Sequence, residues 1–140
     1  MEQVKNRSFT MNSNVEEIEL NTNIVTVFDQ IAKDNSTRVA YDEMGKQTSY
    51  GELKANSDSL AAWLTKQNMT RQSPILVFGD HQVEMITSFL AALKAGHPYI
   101  PVSTDSAIPR IQSILDTAKD VYKRQIFGSF FKLHANLQFQ

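Results

Sequence analysis

Apolar and polar positions alternate along this chain in two rhythms, one with the spacing of helices and one that suits short strands. Ile24, Val27, Phe28 and Ile31 share one face of Ile24–Asp34, which predicts an amphipathic helix ended by Asn35 and Ser36. Arg38–Tyr41 reads as a strand, Glu43–Lys46 as a turn with Gly45 at positive φ, and Gln47–Thr48 as the return of a short hairpin. Ser49 followed three residues later by Glu52 has the form of a capping box, in which each side chain bonds the other's backbone amide. The helix it opens carries Leu53, Leu60, Ala61 and Leu64 on one face. Trp63 beside them is read as core and Glu52 as a cap.

The second half is more apolar. Ile75–Phe78 is a continuous apolar run between the turn Arg71–Pro74 and Gly79, as expected of a strand covered on both faces in a parallel sheet. Asp80 is placed to cap the next helix. Val83, Met85, Ile86, Phe89, Leu90 and Leu93 make that helix apolar nearly all round, which predicts its burial. Lys94 puts a positive charge in the last turn, where the macrodipole favours it, and Gly96 can take the left-handed conformation that closes a helix. Pro98 prevents continuation, and Tyr99–Val102 is the next strand. Strand, helix, strand in this order is a βαβ unit, expected to be right-handed. Thr104–Ser106 leads into a helix over Ile108–Lys119, with Ile111, Ile114, Leu115 and Ala118 inward and Asp105 or Ser106 as cap. A further strand is needed to cover that helix, and no clear candidate follows it. The fold class is α/β, a parallel βαβ sheet flanked by helices.

The two ends differ from this body. Residues 1–23 are a polar leader in which Glu16, Glu17 and Glu19 surround Val15, Ile18 and Leu20, apolar residues that could dock on the domain. At the other end, residues 120–140 break with the preceding composition. Val121–Gln140 has Lys123, Arg124 and Lys132, no acidic residue, and Phe127, Phe130, Phe131 and Phe139, four of the chain's eight phenylalanines. Such a tail suits a membrane-surface or nucleic-acid segment. The favoured expectation is a tail not native to the domain, arising from truncation, a frame change or a junction.

Composition narrows the function classes. The 140 residues carry 14 basic and 15 acidic side chains, a net charge of −1, which argues against a nucleic-acid-binding partner. No cysteine is present, so there is no disulfide framework and no thiolate nucleophile, and a cytoplasmic location is expected. The leader has no apolar core of a signal peptide, and no run approaches the roughly 20 residues needed for membrane insertion.

Glycines 45, 51, 79, 96 and 128 fit neither a dinucleotide fingerprint nor a phosphate loop. His81, His97 and His134 lack metal-ligand spacing, and no GxSxG elbow occurs. His97 is read as a surface or loop histidine. His81, beside Asp80 and near Glu84, is read as a residue of a helix N-terminus rather than a ligand. No catalytic, cofactor-binding or metal-ligating residue is assigned.

Two segments taken together nevertheless carry a resemblance. Thr48-Ser49-Tyr50-Gly51-Glu52-Leu53, with Asn56, Ser57, Leu60 and Ala61, resembles the first signature motif of the adenylate-forming, AMP-binding ligases. Leu93-Lys94-Ala95-Gly96-His97-Pro98-Tyr99-Ile100-Pro101-Val102 resembles the second, with Ser103 where that motif usually has aspartate. Phe78–His81 and Ser106–Ile111 are most similar to the branch that loads D-alanine onto a carrier protein. A nonribosomal-peptide-synthetase adenylation domain, or another acyl-activating ligase, is the near alternative. The resemblance covers about residues 24–119 and implies the N-terminal part of the adenylate-forming fold. It also implies an ATP- and Mg²⁺-dependent ligase that makes D-alanyl-adenylate and passes the acyl group to the phosphopantetheine thiol of a D-alanyl carrier protein, for lipoteichoic acid in the cell wall. In such ligases the phosphate loop, the ribose-binding acid and the catalytic lysine lie beyond the second motif. The chain is therefore expected to be an inactive fragment that holds neither ATP nor Mg²⁺. An expectation of another class is a non-enzymatic interaction module with a basic aromatic tail.

Overall fold

The computed structural model describes residues 23–69, 72–123 and 131–134. The expected docking of Val15, Ile18 and Leu20, and part of the turn at Arg71–Pro74, lie outside the described residues. α1 (Ile24–Asp34) begins where the Asn23 side chain accepts from the Val25 amide at 2.9 Å. Its length is as the sequence predicts, but its orientation is not. The flank buried against the neighbouring helices centres on Ala32 and Phe28, while Ile24 is 66% exposed and Ile31 37%. The small Ala32 allows close approach to the rest of the domain, and that decides which part of a broad apolar arc is covered.

β1 (Val39–Glu43) and β2 (Lys46–Ser49) form an antiparallel hairpin. Met44 at φ 51° and Gly45 at φ 95° are both left-handed, the geometry a two-residue connection needs to match the strand twist. Asp42 fixes the turn by accepting from the Gly45 amide at 2.8 Å and from Gln47 at 3.0 Å.

α2 (Tyr50–Thr65) opens with the expected reciprocal box: Ser49 N–H donates to Glu52 Oε2 at 2.8 Å, and Glu52 N–H to Ser49 Oγ at 3.2 Å. Gly51 N–H donates to the Ser36 carbonyl at 2.9 Å, and a Cβ on Gly51 would lie 2.9 Å from that same oxygen. Glycine is thus required by the close approach of the loop after α1. Leu53, Ser57, Leu60, Ala61 and Leu64 are the buried stripe, and Trp63 is not core but 42% exposed. It stands just outside the arc that Leu60 and Leu64 fill.

β3 (Ile75–Phe78), α3 (Val83–Lys94) and β4 (Tyr99–Val102) make the βαβ unit, with Ile75 opposite Tyr99 and Phe78 opposite Val102 in parallel register. Leu60, Ala61 and Leu64 of α2, Ile75 and Val77 of β3, and Met85, Ala91 and Ala92 of α3 form one core cluster. Ile75, Leu76 and Val77 are all fully buried, so this strand is covered on both faces as its sequence predicts. α3 is less uniformly buried than predicted. Its inward face is Val83, Met85, Thr87, Ser88, Ala91 and Ala92, while Ile86, Phe89, Leu90 and Leu93 are not all enclosed. The hydroxyls of Thr87 and Ser88 donate to the Val83 and Glu84 carbonyls at 3.0 and 2.6 Å. Their polar atoms are therefore satisfied within α3, and small side chains let the helix pack closely.

α4 (Ile108–Lys123) follows. Its first helical bond runs from the Ile111 amide to the Ala107 carbonyl at 3.1 Å, so neither Asp105 nor Ser106 is the cap. The Ser106 amide is used instead in a turn with the Ser103 carbonyl, 3.1 Å away. The strand for which the sequence offers no clear candidate is β5 (Phe131–His134), within the basic aromatic tail. It pairs parallel with the free edge of β3, giving the order β4-β3-β5.

Candidate functional site

In open α/β sheets, ligands bind outside the carboxyl ends of parallel strands, so the loops after β3 and β4 are where a site would form. They are tied together here. Gly79 N–H donates to the Val102 carbonyl at 3.0 Å, and the Asp80 carboxylate accepts from Ser103 Oγ at 2.8 Å, from the Thr104 amide at 3.0 Å and from the Thr104 hydroxyl. The Thr104 hydroxyl, the Ser103 hydroxyl and the Thr104 amide together hold the Asp80 carboxyl below its ordinary value. Asp80 is thus a clasp across two loops and not the cap of α3. Ser103 donates to Asp80, so the carboxylate at this corner comes from the loop after β3 rather than from the second motif.

The cap position of α3 is Gln82, whose side chain accepts from the Asp80 amide at 2.8 Å and makes no capping bond. The hairpin supplies the acceptor instead. Glu43 Oε2 lies 3.4 Å from the Val83 amide, a long contact that brings negative charge to the helix N-terminus. Tyr41 donates its hydroxyl to the His81 carbonyl, and Lys46 lies 4.0 Å from Glu84. His81 itself is exposed at this end, as a helix-N-terminal residue should be.

The other end of α3 holds a group of charges that sequence reasoning missed. Lys94 Nζ lies 3.0 Å from Ser57 Oγ, 2.6 Å from Asp58 Oδ1 and 2.9 Å from Asp29 Oδ1, with its side chain 7% exposed. The contact with Asp29 Oδ1 is ionic, because it lacks hydrogen-bond alignment. The ammonium is also 5.2 Å from the centre of the Phe28 ring, within cation–π range. Lys54 completes the group, 2.5 Å from Asp58 Oδ2 and 3.7 Å from Asp29. Burial pushes the Asp58 carboxyl up, but hydrogen bonds and charge from Lys54 and Lys94 outweigh it and bring it below its ordinary value. The Asp58 hydrogen bond raises Lys54 in turn. Lys54 and Asp58 sit at i and i+4, a spacing visible in sequence, whereas nothing local marks Lys94 as their partner.

Just beyond, Gly96 at φ 82° closes α3, with its amide bonded to Leu93 and the His97 amide to Ala92. His97 is a loop residue as predicted, but it is buried, at 6% exposure, and not on the surface. Its Nδ1 lies 2.9 Å from the Ser73 carbonyl, and since a carbonyl only accepts, Nδ1 carries the proton in that bond. The imidazole fastens the turn after α3 to the entry of β3.

The Asp80 carboxylate is engaged by Ser103 and Thr104, and Lys94 is neutralised by two aspartates. Among the described residues no group of three or more His, Cys, Asp or Glu could hold a metal ion. No helix of the described residues is long and apolar enough to cross a membrane.

The fold of this chain, helices packed on a parallel βαβ unit, is that of N-terminal subdomains of adenylation enzymes. The N-terminal subdomain of Klebsiella oxytoca NpsA superposes with a TM-score of 0.67 at 24% identity, covering 80% of this chain and 30% of that one. IdnL1 superposes with a TM-score of 0.64 at 23% identity, over 69% of this chain and 20% of the other. These likenesses establish the fold. The chain belongs to the AMP-binding enzyme family, which it matches over residues 28–122. It is similar to the D-alanine--D-alanyl carrier protein ligases of Streptococcus agalactiae and Lacticaseibacillus casei, 40% identical over 96 residues, and of Streptococcus pneumoniae, 36% identical over 96 residues. Each match covers 69% of this chain and 19% of the relative, so the chain spans about a fifth of the length of the curated relatives it matches.

Proposed function

We propose that this chain is the N-terminal scaffold of a ligase that activates D-alanine with ATP as D-alanyl-adenylate, releasing pyrophosphate. The ligase then transfers the acyl group to the phosphopantetheine thiol of a D-alanyl carrier protein, with release of AMP. The observation that carries this reading is 36–40% identity to ligases of that name, against 22–24% to the NpsA structures. Lipoteichoic acid is the proposed destination of the D-alanine, and the cytoplasm the proposed location.

The described residues do not fit an ATP or Mg²⁺ site. Lys94 is enclosed by Asp29 and Asp58, and Asp80 is engaged by its own loops. Their contribution is architectural: α2 and α3 are locked through Lys94, and β3 and β4 are held level at their carboxyl ends through Asp80. We place the nucleotide, the metal and the reacting groups in a longer polypeptide that includes this stretch.

D-alanine-dependent ATP–pyrophosphate exchange tests the reading. Exchange is expected from the longer polypeptide and not from the 140 residues alone. Exchange by the 140-residue chain would overturn the scaffold role. A longer polypeptide that responds to another amino acid and not to D-alanine would favour a peptide-synthetase adenylation domain.

A further inference from the structure

We infer that the β1–β2 hairpin is a hinged flap over the loop after β3, latched shut by the Tyr41 hydroxyl. Its base is fixed. Tyr50 N–H donates to the Arg38 carbonyl and Gly51 N–H to the Ser36 carbonyl, each at 2.9 Å, so the two ends of the hairpin are held side by side at the start of α2. Of the residues in β1 and β2 only Thr48 is buried, and it stands beside this base. The far end is open, with Met44 at the turn fully exposed. Between base and tip the ladder is interrupted. Val39 pairs with Ser49 and Tyr41 with Thr48, which leaves Ala40 as an extra residue in β1. Such a bulge breaks the pairing and bends the strand, and it marks the place about which the outer hairpin swings.

What holds the outer hairpin down is thin. Glu43 Oε2 reaches the Val83 amide only at 3.4 Å, and Lys46 Nζ reaches Glu84 only at 4.0 Å with its own side chain 71% exposed. The close contact is that of the half-buried Tyr41, which donates its hydroxyl to the His81 carbonyl forty positions along the chain. A two-stranded hairpin is marginal on its own, and an exposed ion pair adds little, so the closed position depends on this one bond. Asp42, Gly45 and Gln47 bond one another across the turn, so the tip moves as a preformed unit. Residues 79–81 and the Val83 amide lie at the carboxyl end of β3, the side on which open α/β sheets admit ligands. Opening withdraws Glu43 from the Val83 amide. Gln82 makes no side-chain cap there, so the first turn of α3 is freed together with the loop. The flap therefore sets how often this corner is uncovered.

Hydrogen exchange on the 140-residue chain tests the flap. Tyr41→Phe keeps the ring and removes only the hydroxyl. It is expected to speed exchange across residues 41–48 by about fivefold, with residues 60–64 of α2 and 88–92 of α3 unchanged. Unchanged exchange in the hairpin would overturn the latch. Equal acceleration in α2 and α3 would overturn the flap, because the hairpin would then open only with the whole domain. Lys46→Gln removes the 4.0 Å contact alone and is expected to change hairpin exchange by less than about twofold. An effect as large as that of Tyr41→Phe would place the latch elsewhere and overturn its assignment to Tyr41.

Discussion

The two ends of α3 are held by opposite means. At its C-terminus the closure is buried: Gly96 turns left-handed, His97 bonds back to Ala92, and Lys94 is enclosed by Asp29, Ser57 and Asp58. At its N-terminus the closure is more open to solvent. Glu43 reaches across from the hairpin, Tyr41 holds the His81 carbonyl, and Asp80 ties the loop to Ser103 and Thr104. The difference concerns what each end can lose. Removing a charge from a desolvated group leaves its partners uncompensated, whereas water replaces an exposed contact at little cost. In this chain the second signature motif lies at the enclosed end, and the loops in the position of a ligand crevice lie at the open one.

The sharpest way to break the contrast is Lys94→Met. Urea unfolding is expected to show a loss of about 2–3 kcal/mol, at or below the range for breaking a buried pair because both aspartates keep some solvent contact. Adding Asp29→Leu should recover part of that loss, since it removes the stranded charge, and strictly additive losses would contradict the coupling. Gly96→Ala should cost about 1–2 kcal/mol from backbone conformation alone, because nothing lies within 4 Å of the new Cβ. At the opposite end, Glu43→Gln should cost only about 0.3–1 kcal/mol, the value of a charge near a helix terminus, and the loss should shrink with salt.

The smallest effect concerns acid. The Asp80 and Asp58 carboxyls both lie below their ordinary 3.8 in the folded chain. The unfolded chain therefore takes up protons first as pH falls, so their stabilisation is complete above about pH 4 and is lost below it as pH passes through the folded values. Asp80→Asn should flatten the fall in urea midpoint as pH drops below about 4, with a small loss at neutral pH. A large loss at neutral pH would show that the clasp bears on stability as the Lys94 group does.

Features held by neighbours in sequence are legible in the chain itself. The capping box at Ser49 and Glu52, the left-handed Gly45 and Gly96, and the apolar run at Ile75 need only residues a few positions apart, and each stands where predicted. The misreadings share the opposite property. Trp63 has the composition of core and stands beside the core, because Leu60 and Leu64 already fill the inward arc of α2. His97 has the local setting of a surface residue after a helix cap, but the Ser73 carbonyl, 24 positions away in the chain, encloses it. Asp80 has the position of a cap, yet Ser103 and Thr104 offer it three hydrogen bonds from beyond the next strand. β5 is hard to read because four residues carry too little pattern, and its placement depends on the open edge of β3. The need for glycine at position 51 comes from the Ser36 carbonyl, which lies where a Cβ would crowd it.

By itself, then, the sequence determined the order and most of the extents of the elements up to the start of α4, and through two short motifs the family to which the chain belongs. Both rest on local backbone chemistry, which is written in consecutive residues. Only the tertiary structure decided which side chains are enclosed: that the lysine of the second motif binds two aspartates on other helices, and that the aspartate after β3 clasps the loop after β4. Desolvation and pairing depend on distance in space, and that distance exists only once the chain has folded.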